Sequence, residues 1–215
     1  MPTTPTDVQV PSRLPVVPGV VLHGSYLLTD REPLNRGDTL DALVLPDQRL
    51  ALIVVDVVGH GFPASMAATQ ARTVLRERHL AGAGAVGAGT ALDAYLRHLP
   101  ELGPVSLCIA LLDPTDGAGE YVALGHPGPV LVAPEGRVRK FTVEPHAPLG
   151  AGANGSLPAP RTFRLNEGEL LLLLTDGLTA DGAVDRAGTV AAPLRHADVE
   201  PADRIDGWCG DIVEA

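Results

Sequence analysis

Two stretches of the chain end an apolar run in an aspartate and follow it with a turn that glycine permits. They are Ile53-Val54-Val55-Asp56-Val57-Val58-Gly59-His60-Gly61 and Leu172-Leu173-Leu174-Thr175-Asp176-Gly177-Leu178. A carboxylate at the end of a buried strand is costly unless a cation or hydrogen-bond donors compensate it, and glycines let a backbone come close to a ligand. Taken singly, each aspartate has two open readings, a metal ligand or an ordinary turn initiator. A third carboxylate group, Gly37-Asp38-Thr39-Leu40-Asp41, precedes the hairpin whose second strand delivers Asp56, so the fold can bring Asp38 beside Asp56. Oxygen donors without a nearby Cys/His set select hard ions, Mg²⁺ or Mn²⁺, over zinc.

Other reactive side chains fit less well. His60 stands between two glycines at a helix entrance, where a ring more commonly orients the turn by hydrogen bonding than transfers protons. His126, in Gly125-His126-Pro127, reads as a ring that packs and hydrogen-bonds under the site; neither histidine is offered as a metal ligand. Ser25, Ser65, Ser106 and Ser156 lie outside any Gly-x-Ser-x-Gly elbow, which argues against a serine hydrolase. The glycines from Gly82 to Gly89 are followed by no Lys-Ser/Thr pair and preceded by no strand, so they read as a linker rather than a phosphate loop.

The elements that must carry these residues follow from the pattern of apolar positions. A strand is expected from Val20 to Tyr26, and a hairpin from Asp41–Leu45 and Leu50–Val57 around the turn Pro46-Asp47-Gln48-Arg49. Met66, Ala67, Ala71, Val74 and Leu75 recur at helical spacing between Phe62 and Leu80. The Ala81–Gly89 stretch reads as a flexible connector, and Leu92, Tyr95, Leu96 and Leu99 mark a second helix stopped by Pro100. Strands are then expected at Val105–Leu112, Glu120–Leu124, Val130–Ala133, Val138–Val143, Arg161–Leu165 and Glu169–Thr175. Strands, then a helix pair, then more strands imply an α+β fold, an antiparallel β-sandwich flanked by helices.

Bulk properties narrow the partners. With 215 residues, 45% of them apolar, one domain is the expectation. A formal charge of -10 without any basic run disfavours nucleic acid. Cys108 and Cys209 are far apart and in no CxxC, which argues against a disulfide framework or zinc knuckle and points to the cytoplasm. No apolar run approaches the ~20 residues that cross a bilayer, and the start of the chain does not read as a signal peptide, so no membrane partner is expected. Residues 1–18, with five prolines, read as an extended leader, and residues 19–215 as the folded domain.

The motifs then form an ordered series: Leu14-Pro15…Pro18-Gly19, Gly37-Asp38…Asp41, Leu45-Pro46-Asp47…Arg49-Leu50-Ala51-Leu52, Asp56-Val57-Val58-Gly59-His60-Gly61, Gly125-His126-Pro127-Gly128-Pro129, Pro148-Leu149-Gly150 and Thr175-Asp176-Gly177-Leu178. From Leu14 to about Ala183 this series resembles the PPM-type metal-dependent protein phosphatases in their stage II sporulation protein E-like (SpoIIE-like) branch. The resemblance implies an α-β-β-α fold and a Mg²⁺- or Mn²⁺-dependent serine/threonine phosphatase acting on a regulatory protein of the anti-sigma-factor antagonist type. It also implies that Asp56 bridges two ions, that the Val57 carbonyl binds one of them, that Asp176 completes the first ion's shell, and that Asp38 positions the water or ligates directly. Two ions about 3.5–4 Å apart would lower the pKa of a water and clamp the phosphoryl oxygens, so no phosphoenzyme is needed.

The series departs from the family in two places. Where relatives carry a second glycine before the first aspartate this chain has Arg36, whose guanidinium is either a clamp for the substrate phosphate or a solvated side chain. The family's last strand carries an Asp-Asp-hydrophobic motif; Gly210-Asp211-Ile212-Val213 imitates it with glycine at the ligand position, so the ligand role is not transferred to Asp211. On this reading the domain is truncated and lacks its last strand, which leaves an edge open to pairing or homodimer formation. The alternative function is then a weak or inactive phosphatase fold that regulates by binding a phosphoprotein.

Overall fold

A computed structural model describes residues 14–24, 37–152 and 156–175. Its elements run β1 (Thr39–Val44), β2 (Leu50–Val57), α1 (Gly61–Leu80), α2 (Ala85–His98), a short 3-10 turn (Pro100–Leu102), β3 (Val105–Leu112), β4 (Ala118–Leu124), β5 (Val130–Val132), β6 (Val138–Lys140), β7 (Arg161–Arg164) and β8 (Leu170–Leu172). Every strand pair is antiparallel: one sheet has the order β1-β2-β3-β4-β7, the other β6-β5-β8. This is the α+β fold expected, two consecutive helices against antiparallel sheets.

Alternation along each strand gives the larger sheet two distinct faces. Ala51, Ile53, Val55 and Val57 of β2, with Leu107, Ile109 and Leu111 of β3, point at the helices and share a core with Ala67, Ala71, Leu75, Ala88, Leu92 and Leu96. On the opposite face Leu50 and Leu112 bury against Val17, and Tyr121 of β4 stacks on Phe141, which follows β6, at 5.2 Å between ring centroids. The Tyr121 hydroxyl donates to the Thr142 carbonyl, which ties the chain after β6 to this second face.

Two expectations fail for identifiable reasons. The strand predicted from Val20 to Tyr26 does not form over its described part: Val20 makes only an isolated bridge to Val17. Residues 25 and 26 lie outside the described residues. The predicted connector from Ala81 to Gly89 is helical from Ala85 onward. Ala85 and Ala88 are buried, and a Cβ on Gly89 would stand 3.1 Å from both Leu124 and Leu157. Small residues let α2 lie close on the sheet, and this packing supplies what helix propensity does not.

At the end of α1 the His79 ring is fully buried, and its Nδ1 lies 3.0 Å from the Ala83 carbonyl. A carbonyl can only accept, so Nδ1 carries the proton. Nε2 then holds a lone pair and has no hydrogen-bond partner among the described residues. Burial lowers the His79 pKa, the nearby Arg49 guanidinium adds to that, and the bond to Ala83 opposes it.

Candidate metal centre

The β1–β2 register pairs Thr39 with Val55 and Asp41 with Ile53. The Val57 N–H donates to the Gly37 carbonyl at 3.2 Å, so the ladder continues two residues before β1 as assigned. Asp38 therefore stands directly opposite Asp56. Gly37 and Val57 are the hydrogen-bonded pair, which makes Asp38 and Asp56 the intervening non-hydrogen-bonded pair, the kind whose Cα atoms approach to about 4.5 Å with side chains close together. Gly37 is required here, because a Cβ on it would lie 2.3 Å from the Val57 carbonyl oxygen.

Asp38 and Asp56 share the sheet face away from the helices, and both are partly buried. Two like charges set opposite each other on one face are destabilising unless something compensates them. No cationic side chain does so for Asp56: it has no ion pair among the described residues. Asp41, three residues along the same strand, is treated differently. It points to the helix face, is buried, and takes both Arg76 Nη1 contacts, at 2.9 and 2.8 Å. The donor set of Asp38 and Asp56 fits a hard cation; Asp41 already has its counter-charge.

Further motifs meet at the same end of the sheet. Val57 pairs with Val105 of β3, and Val105 in turn exchanges two backbone hydrogen bonds with Leu149, at 3.0 and 2.8 Å. Pro148-Leu149-Gly150 is thus held against the strand beside Asp56. The Gly150 N–H donates to Asp93 of α2 at 3.1 Å, and Asp93 also pairs with Arg97. At Gly125 the backbone turns with φ +63°, and a Cβ there would meet the Pro148 nitrogen at 2.5 Å. The Val58 N–H donates to Pro104 at 3.1 Å, and Gly59 and Gly61 take φ of +120° and +80° around His60.

The histidines divide. His126 is buried with Nδ1 3.0 Å from the Pro127 carbonyl, a packed ring as the sequence suggested. His60 is exposed and occupies the N-cap of α1 in an extended conformation, yet makes no side-chain cap bond. The turn-orienting bond expected of it is absent because the two left-handed glycines already fix the turn. Arg36, Asp176 and Asp211 lie outside the described residues. Among the described residues no group of three or more His, Cys, Asp or Glu side chains is gathered closely enough to hold an ion. Asp93 was missed by sequence reasoning, and so was Ser106 as a neighbour of Asp56. An i,i+4 pair with Arg97 was visible for Asp93, but its reach to Gly150 depends on tertiary structure.

Comparison with known proteins bears on the family and the fold. Residues 46–213 match the model of the stage II sporulation protein E (SpoIIE) family. The solved RsbU and RsbW domains of Rv1364c from Mycobacterium tuberculosis are 33% identical, with a TM-score of 0.71 over 86% of this chain and 51% of that one. This chain therefore spans about half the length of that structure. The PP2C phosphatase domain with a regulatory fragment of SpoIIE from Bacillus subtilis has a TM-score of 0.69 at 17% identity, over 83% of this chain and 52% of that one. RsbX in complex with magnesium has a TM-score of 0.58 at 14% identity, over 83% of this chain and 82% of that one. At such identities the last two bear on the fold alone.

Proposed function

The chain belongs to the SpoIIE family of PP2C/PPM-type phosphatases, and from that premise we propose that it hydrolyses phosphoserine or phosphothreonine on a regulatory protein of the anti-sigma-factor antagonist type. The observation that carries the reading is the pairing of Asp38 with Asp56 across the β1–β2 ladder, on the face away from the helices and without an ion pair to Asp56. We assign Asp38, Asp56, the Val57 carbonyl and Asp176 as the residues that would hold two Mg²⁺ or Mn²⁺ ions. Such ions supply Lewis-acid chemistry, acidifying a water and neutralising phosphoryl oxygens.

The protein's own residues supply position. Asp56 sits at the end of a fully paired central strand, so its backbone is fixed on both sides. Gly37 lets the Asp38 segment close onto Val57, and Asp93 fixes the Pro148-Leu149-Gly150 turn next to it. A carboxylate pair on rigid strands holds its geometry with little reorganisation as charge develops on the phosphoryl group. The relative at 33% identity joins an RsbU domain to an RsbW domain, which favours a regulatory phosphoprotein as substrate, and the absence of paired or closely spaced cysteines favours the cytoplasm as its compartment.

The test is phosphate release from a phosphoserine-bearing protein of this type, with a small aryl phosphate alongside, in Mn²⁺ and in chelator. Metal-dependent release from the phosphoprotein, abolished in Asp56→Asn with the fold intact, is the expected result. Faster turnover of the aryl phosphate would make the chain a small-phosphoester hydrolase. Tight phosphoprotein binding without turnover would make it a binding module.

A further inference from the structure

The end of β2 is held from two sides by backbone hydrogen bonds. On the β1 side the Val57 N–H donates to the Gly37 carbonyl at 3.2 Å, and on the β3 side the Val58 N–H donates to the Pro104 carbonyl at 3.1 Å. The next residue, Val105, uses its own N–H and carbonyl on Leu149. β4 has left the sheet by this point: its pairing with β3 ends at Leu107↔Leu124, and Gly125 turns with φ +63°. Leu149 therefore takes the place beside β3 that a strand would otherwise fill, and it holds Val105, and with it Pro104, against Val57 and Val58.

One carboxylate on α2 anchors the segment around Leu149. Pro148, Leu149, Gly150 and Ala151 form a turn in which the Ala151 N–H donates to the Pro148 carbonyl at 3.3 Å and Gly150 takes φ +75°. Pro148 has no N–H and the Leu149 N–H is taken by Val105, so the Gly150 N–H is the donor that the turn and the strand leave over. It donates to Asp93 Oδ1 at 3.1 Å. A Cβ on Gly150 would lie 3.1 Å from the Leu96 Cβ, so the turn sits directly on α2. The Asp93 side chain is only 16% exposed and divides its oxygens, Oδ1 to Gly150 and Oδ2 to Arg97. An ordinary i,i+4 surface pair accounts for Oδ2 alone.

We propose that Asp93 is a positioning residue for the metal centre: by holding the Gly150 N–H it keeps the Pro148-Leu149-Gly150 turn against β3, and so fixes the backbone that carries Asp56 and the Val57 carbonyl. The inference rests on the metal-site reading above. It gives Asp93 no contact with an ion, a substrate or the reacting water. A carboxylate suits the task, because a charged acceptor makes a stronger hydrogen bond than a neutral one and Arg97 keeps it in one orientation.

The test is Mn²⁺ binding by calorimetry and by electron paramagnetic resonance, with no substrate present and well below the melting temperature, where lost stability alone leaves affinity unchanged. It compares the full chain with Asp93→Ala, Arg97→Met, the double variant Asp93→Asn with Arg97→Met, and Asp56→Asn. Asp93→Ala is expected to weaken Mn²⁺ binding between about 2-fold and about 30-fold, the span for residues that belong to a bonded network without touching the ligand. Arg97→Met leaves the bond to Gly150 in place and should bind Mn²⁺ like the parent. In the double variant the amide oxygen still accepts from Gly150, so affinity should stay near the parent's. Where Asp93→Ala does not fold, Asp93→Glu replaces it: the charge is kept on a longer stem that displaces the turn, and Mn²⁺ binding should again weaken. Parent-like affinity in the Ala or Glu variant, alongside loss in Asp56→Asn, overturns this inference alone. Loss in Arg97→Met or in the double variant equal to that in Asp93→Ala would put the effect in charge rather than in the Gly150 bond, and overturns it too. If Asp56→Asn also binds Mn²⁺ like the parent, the metal-site reading fails and this one with it.

Discussion

Asp38 and Asp41 are three residues apart on one strand and are handled in opposite ways. Asp41 faces the helices, where it is 3% exposed and its charge is met by Arg76 at 2.8 Å. Asp38 faces the other way, opposite a second carboxylate that has no ion pair among the described residues. The rest of each face follows its aspartate. Beneath the helices Arg76 meets Asp41, Arg72 reaches the Thr39 hydroxyl, and burial holds the His79 pKa below its ordinary value. On the far face Asp38 stands opposite Asp56. On the helix face the buried carboxylate has its counter-charge, and on the far face Asp56 has none among the described residues.

The largest effect that could break this contrast is expected from Arg76→Met. It strands a buried Asp41 carboxylate and should cost roughly 3 kcal/mol of unfolding free energy by chemical denaturation. Mn²⁺ affinity should not change. Adding Asp41→Leu to that variant should recover much of the loss, because it removes the buried carboxylate that the first change leaves unpaired. If Arg76→Met weakened Mn²⁺ binding instead of stability, the two faces would not be separate systems.

A smaller effect is expected from His79, and it sharpens the same contrast through pH. The folded value lies below the ordinary 6.5, so the unfolded chain takes up the proton first. The stability that depends on a neutral ring is complete above that ordinary value and is lost as pH falls through it towards the lowered folded value. Melting temperature should therefore decline below about pH 6.5 in the parent. The decline should be shallower in His79→Gln, whose amide can still donate to the Ala83 carbonyl. A parallel decline in both would put the acid sensitivity elsewhere.

Much of this was legible in the sequence, and what was not has physical causes. The β1–β2 hairpin could be read from Leu50–Val57, because an apolar run of that length behind an Asp-Gln turn has few other solutions. The opposite facing of Asp38 and Asp41 was also available, since positions three apart on a strand must lie on opposite sides. The start of α2 was not legible: Ala-Val-Gly-Ala-Gly carries no periodic signal, and its helicity comes from packing on Leu124 and Leu157. Val20–Tyr26 has strand-like residues, but the described part, up to Gly24, pairs only through an isolated bridge. That β3 is the strand flanking Asp56 was not legible, because register across a connection of nearly fifty residues, with two helices in it, is not written in local sequence.

The central claim, that Asp38 and Asp56 form a cation site, is tested most directly by a crystal of the chain soaked in Mn²⁺ and measured at the manganese absorption edge. Two anomalous peaks are expected at Asp56, one of them within coordinating distance of Asp38, and none at Asp41. Peaks absent from Asp56, or found only at other carboxylates, would contradict it.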